Sequence, residues 1–184
     1  MADFSYLDNK VSLEDIEVDK HKEAVAAESL VFTEGYNNHE ITFKIDNSQT
    51  TYNLAANTNT FADWGSFTGS PQNILAKQTA EVCKCHENPG FWTGAAGMIG
   101  FSMSANSSKV YLRFACTDPY WSRRDNRTMV ELASTDSGID QDNYNRIYHW
   151  GGSASIPFDG KTLSVTSTVG TGAECTATFY IKVT

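Results

Sequence analysis

The sequence predicts a mainly β protein, an antiparallel β-sandwich flanked by two short α-helices. Three observations carry that expectation. Apolar residues recur with period 2 over most of the chain beyond Glu40, a helical period of 3.6 precedes them, and turn clusters ("DNSQ", "ENPG", "ANSS", "TDSG", "FDGK") separate the runs. The length of 184 residues suits one such domain with its own core, and 40% hydrophobic with 12% aromatic content excludes a disordered chain.

Residues 1–18 are polar and acidic without clean periodicity and read as an N-terminal arm. Residues 19–35 read as a helix: Asp19 can cap it, Ala24, Ala27, Leu30 and Val31 fall on one side, and Gly35 ends it. Its apolar face is modest and Ala-rich, which suits either packing on a sheet or leaving the body to meet a membrane. Residues 36–184 form the expected sandwich, the lipid- or ligand-binding domain. "ITFKI" puts Ile41, Phe43 and Ile45 on one face, and "VYLRF" does the same with Val110, Leu112 and Phe114. "TMVEL" offers Thr128, Val130 and Leu132, and "ATFYIKV" offers Ala177, Phe179, Ile181 and Val183. The nearly continuous apolar run "AAGMIGFSM" predicts a strand covered on both faces. A second helix is expected at about 140–149.

A formal net charge of −8 excludes nucleic acid as a general partner and diffuse attraction to anionic lipid. The start "MADFSYLDNK" has no basic-then-apolar pattern and no run approaches 18 apolar residues, so no signal peptide or spanning helix is expected. The chain reads as soluble, either cytoplasmic or released by a route without a signal, and meeting a target membrane only on binding. Cys83 and Cys85 form a C-x-C pair before His86, but the spacing is not that of a zinc site. Together with Cys116 and Cys175 they read as free or partly buried thiols on strands; no metal and no cofactor is expected. His21, His39, His86 and His149 are scattered and no hydrolase, P-loop or dinucleotide motif is present, so no enzyme and no catalytic residue is expected.

The informative residues are aromatic. In "DNYNRIYHWGG", a two-turn helix stacks Tyr144 and Tyr148 with His149 alongside. Ile147 is the one ordinary core residue there, so the tyrosines are expected to face outward. A tyrosine face suits a lipid headgroup boundary, a choline cation or the apolar face of a sugar. In "DPYWSRRDNR", Tyr120 and Trp121 leave a strand and Arg123, Arg124 and Arg127 follow, an anion-binding patch able to hold phosphate.

The ordered set "ITFKIDNSQTTYNL", "GFWTGAAGMIGFSM", "KVYLRFACTDPYW", "DNYNRIYHW" and "AECTATFYIKV" resembles an actinoporin over about residues 40–184. The resemblance implies a cytolysin that binds phosphocholine headgroups, notably of sphingomyelin, then detaches its N-terminal helix and homo-oligomerises into a membrane pore. Carried over by position, Tyr144 and Tyr148 line the headgroup pocket, His149 stands for a third ring, and Gly94 and Ala96 form pocket wall. Tyr120 and Trp121 match a membrane-facing loop, with Arg123 beside them to contact the headgroup. The chain departs from the family in its acidity, in "SRRDNR" replacing tryptophans, and in lacking Arg-Gly-Asp after the second helix. A carbohydrate-binding lectin of the fungal fruit-body type, on the same fold, is the alternative. Replacing both Tyr144 and Tyr148 with alanine is expected to abolish headgroup binding and leave the fold intact, as circular dichroism and a vesicle-binding assay would show.

Overall fold

A computed structural model describes residues 39–90, 93–106, 108–120 and 125–184. The acidic arm, the helix expected over 19–35, Trp121, Arg123 and Arg124 lie outside the described residues. Eleven strands and one helix are described in the order β1 (Glu40–Gln49), β2 (Leu54–Ala56), β3 (Phe61–Trp64), β4 (Ser66–Thr68), β5 (Thr79–His86), β6 (Gly94–Ala105), β7 (Ser108–Pro119), β8 (Arg127–Ala133), α1 (Gln141–Ile147), β9 (Ser153–Phe158), β10 (Lys161–Val169) and β11 (Glu174–Val183). They build two sheets, β4-β5-β1-β11-β10-β9 and β2-β6-β7-β8, with β3 also paired to β6. The expected sandwich is present. One pair is parallel, β1 with β11, because strands this remote in sequence need no hairpin between them.

The predicted alternation holds. Ile41, Phe43, Ile45, Leu112, Phe114 and Phe179 are fully buried between the sheets, and Phe114 stacks on Phe179 across the gap at 4.6 Å between ring centroids. Asn47 is also fully buried. Its amide donates to the carbonyls of Tyr52 (2.8 Å) and Leu75 (3.1 Å) while its carbonyl accepts from the Thr50 hydroxyl (2.6 Å), so this side chain organises the chain after β1. Cys83, Cys85, Cys116 and Cys175 are free and buried on strands, and burial pushes the Cys83 and Cys85 thiols up to about 12.

β6 is covered on both faces, as its apolar run implied. Ala95, Ile99, Phe101 and Met103 enter the inter-sheet core, whereas Ala96 and Met98 join Ala115, Met129, Tyr144 and Ile147 in a second cluster on the outer face. The register aligns three outer rows across β6, β7 and β8: Ala96–Thr117–Arg127, Met98–Ala115–Met129 and Gly100–Arg113–Glu131. Helix α1 lies over the middle row. Gly100 admits the loop before it, since a Cβ there would stand 2.5 Å from Ile139 Cδ1.

Asp140 caps α1 by accepting from the Asn143 backbone N–H at 2.9 Å. The helix is tied down through Glu131, 4% exposed, which accepts from Arg113 Nη1 at 2.7 Å and Arg146 Nη2 at 2.9 Å, with Arg146 Nη1 on its other oxygen. Arg113 is 1% exposed and also donates from Nε to the Gly138 carbonyl at 2.9 Å. Burial alone would raise the Glu131 carboxyl; the hydrogen bonds from Arg146 and Arg113 outweigh it and hold it below the ordinary glutamate value. A lowered folded value contributes stability that is present above the unfolded value near 4.5 and lost as pH falls through the folded one. Glu131→Ala, which leaves the buried Arg113 with only the exposed Asp136 carboxylate, 3.7 Å from its Nη2, is expected to cost about 3 kcal/mol in urea unfolding at neutral pH. The gap between the variant and the parent should narrow as the pH drops below that window.

Candidate functional site

The floor of the site is the row Ala96–Thr117–Arg127, extended on the β3 side by Trp64, which pairs with Ala96. The wall is α1. Its sheet-facing side carries Asn143, Tyr144 and Ile147, all buried. Tyr144 meets Phe61 at 5.3 Å and Tyr148 at 5.8 Å between centroids; Tyr148 meets His149 edge-on at 5.2 Å. The Arg127 guanidinium carbon lies 4.5 Å from the Tyr148 ring centroid, and that of Arg146 lies 5.5 Å from Trp150.

One expectation is corrected here. Tyr144 was expected to face outward, yet it is 1% exposed and packed against the sheet. The small side chains of Ala96 and Ala115 leave a depression under α1, and a tyrosine ring fills it. Ile147 is buried as expected; Tyr148 is half-buried and His149 exposed. The face offered to solvent is therefore Tyr148 with His149 and Trp150.

Tyr144, Tyr148, His149 and Ala96 come together. Gly94 and Tyr120 lie at the open end of the β6–β7 ladder. Gly94 pairs with Pro119 and takes φ +82°, and a Cβ there would meet the Asp118 carbonyl oxygen at 2.2 Å, so only glycine permits this approach. Tyr120 packs on His39 at 5.4 Å, beside a His39–Asp118 pair 3.0 Å apart. Burial pushes the Asp118 carboxyl up to about 6 against the lowering effect of His39.

Arg127 carries more of the site than its place in an arginine run suggested. Its Nε and Nη2, and the Tyr144 hydroxyl, are buried with no hydrogen-bond partner. Each such group costs roughly 1–3 kcal/mol relative to a satisfied one, and three of them fall in this one cluster. Burial above all, then the nearby Asp63 carboxylate, holds the Tyr144 hydroxyl protonated and therefore a donor. The signal in the sequence was the period of β8. If Val130 and Leu132 face the core, Arg127, Met129 and Glu131 must face the other way. Chain geometry around the site is tight as well: a Cβ on Gly152 would stand 2.4 Å from Ser167 Oγ and 2.6 Å from Thr128 Oγ1.

Among the described residues no cluster of His, Cys, Asp and Glu could hold a metal ion, and no helix is long and apolar enough to cross a membrane.

No protein-family pattern matches the chain, and no curated protein sequence does. Solved structures do. The crystal structure of the lipid binding protein Nakanori aligns with a TM-score of 0.62 at 14% identity, over 96% of this chain and 91% of that one. The Xerocomus chrysenteron lectin aligns with a TM-score of 0.47 at 11% identity, over 79% of this chain and 99% of that one. At these identities the likeness to Nakanori shows a shared fold.

The buried tyrosine yields a paired expectation. Tyr144→Phe removes an unpartnered hydroxyl and should leave the thermal midpoint unchanged or raised, whereas Tyr144→Ala should cost about 3–5 kcal/mol by emptying the depression. Loss of binding in a double alanine variant would therefore report on folding too, so Tyr148→Ala is the cleaner probe.

Proposed function

We propose that this chain is a lipid-binding protein that takes a phosphate-bearing headgroup, phosphocholine among them, at the site made by Arg127, Tyr144 and Tyr148. The observation that carries it is the trio of buried, unpartnered donors beside a row of rings. The donors suit phosphate oxygens, and the half-buried and exposed rings suit the headgroup boundary of a bilayer. The fold shared with a lipid binding protein supports the reading, as does the sequence resemblance to actinoporins, with sphingomyelin as the implied target. Homo-oligomerisation into a pore is the further step of this proposal and calls on the segment 19–35.

Vesicles of a non-ionic surfactant and cholesterol, with and without sphingomyelin and loaded with dye, test both steps by co-sedimentation and leakage. The expected result is sedimentation only with sphingomyelin, lost at least about tenfold in Tyr148→Ala, since one stacked ring contributes on that order. Sedimentation that ignores sphingomyelin would end the proposal, and binding without leakage would end its pore-forming part.

A second reading has its own observation. Beyond α1 the same outer face opens into a groove of about 300 Å³ lined by Asn57, Ser102, Lys109, Tyr111, Arg113 and Asp136. An amide, a hydroxyl, a carboxylate and a ring around one groove are the groups that hold a sugar. A glycan panel that retains a ligand with the parent chain and loses it with Tyr111→Ala would favour the lectin reading; a blank panel would remove it.

A further inference from the structure

The rings that follow α1 already carry cations. The Arg127 guanidinium covers Tyr148 and that of Arg146 approaches Trp150. A quaternary ammonium seeking the Tyr148 face would share one ring quadrupole with a fixed positive charge and be repelled by it. What the same guanidinium leaves open is the opposite kind of contact. Nε and Nη2 form one edge of its fork, the edge that meets two oxygens of a phosphate side by side, and both lack a partner. The Tyr144 hydroxyl is the third unpartnered donor of the cluster, close enough for the Arg127 charge to act on it. Asp63, the carboxylate nearest in effect to Tyr144, receives the Gln141 side-chain amide at 3.4 Å.

We infer that this site selects a phosphoryl group and is indifferent to choline: Arg127 supplies the bidentate edge, Tyr144 the third donor, and Tyr148 the ring that holds the guanidinium flat. For its lipid source the inference rests on the function proposed above. The phosphoryl seat itself would also accept free phosphate. A seat of this kind is compatible with a strongly acidic chain, because recognition is confined to one recessed arginine rather than spread over the surface.

The test uses the full chain and reads the Arg127 side-chain Nε–Hε resonance by NMR during titration with inorganic phosphate, phosphocholine or choline. Vesicles of non-ionic surfactant and cholesterol carrying sphingomyelin or phosphatidic acid run in parallel. Phosphate and phosphocholine are expected to bind within about threefold of each other, less than one free cation–π contact would add, and choline to leave the resonance unmoved. Arg127→Gln should weaken phosphate at least about tenfold, the loss of a charged bidentate contact. Should that variant fail to fold, Arg127→Lys keeps the charge without the fork and should weaken phosphate in the same direction. Both vesicle types should be bound to within about threefold. Choline shifting the resonance, phosphate failing to, or Arg127→Gln retaining phosphate would each overturn the inference. Binding of sphingomyelin vesicles but not of phosphate or phosphatidic acid would overturn it while sparing the lipid reading. Binding of phosphate with no vesicle bound would support the seat and end the lipid reading.

Discussion

Helix α1 is held to the outer sheet through one buried carboxylate. Glu131 sits on β8 between Arg113, which comes from the neighbouring strand, and Arg146, which comes from the helix. Neither the carboxylate nor Arg113 reaches solvent, so each needs the other's charge in a medium that would otherwise expel both. The pairing sets the helix at one position along the sheet, and the rest of the outer face follows from it. Ile147 and Tyr144 are pressed onto Met98, Ala115 and Met129, and Tyr148 is carried to the row that ends in Arg127. Without that tie, a helix of seven residues would lack the length to form or place itself.

Once α1 is placed, its two tyrosines play different parts although they are one helical turn apart. Tyr144 belongs to the core of the outer layer, and its ring fills space that Ala96 and Ala115 leave. Tyr148 stands at the rim between His149 and Arg127. The polar end of the buried tyrosine and the free edge of the arginine are left without hydrogen-bond partners, as are Arg113 Nη2 under the helix and His39 Nδ1 and Asp118 Oδ2 at the far end of the β6–β7 ladder. A protein that buries donors without acceptors gives up stability there, and such concessions gather where something else is meant to bind.

The outer face thus has two regions with different chemistry on the same three strands. Under the helix it is apolar with a cationic rim. Past Gly100 it becomes an open groove of mixed polar groups around Tyr111. The register of β6, β7 and β8 sets both, since each row contributes one residue per strand to this face.

Period 2 and the turn clusters were enough to read the sandwich, because a strand with one buried face must alternate, and Ile41, Phe43, Ile45, Leu112 and Phe114 all lie where that pattern puts them. The existence of α1 was legible too, from the spacing of Tyr144, Ile147 and Tyr148. What local pattern could not show was which side of α1 is inside. Tyrosine is amphipathic, and its burial depends on the size of the residues opposite, here alanines from β6 and β7 that are remote in sequence. Nor could it show that Arg127 covers Tyr148, because that contact joins β8 to the end of a helix through a register set by the whole sheet. The sequence by itself determined the alternation, the turns and the chemistry available. The tertiary structure decided which tyrosine is core, which is rim, and which arginine is left with its donors open, because each depends on a partner that only the packing of sheet and helix supplies.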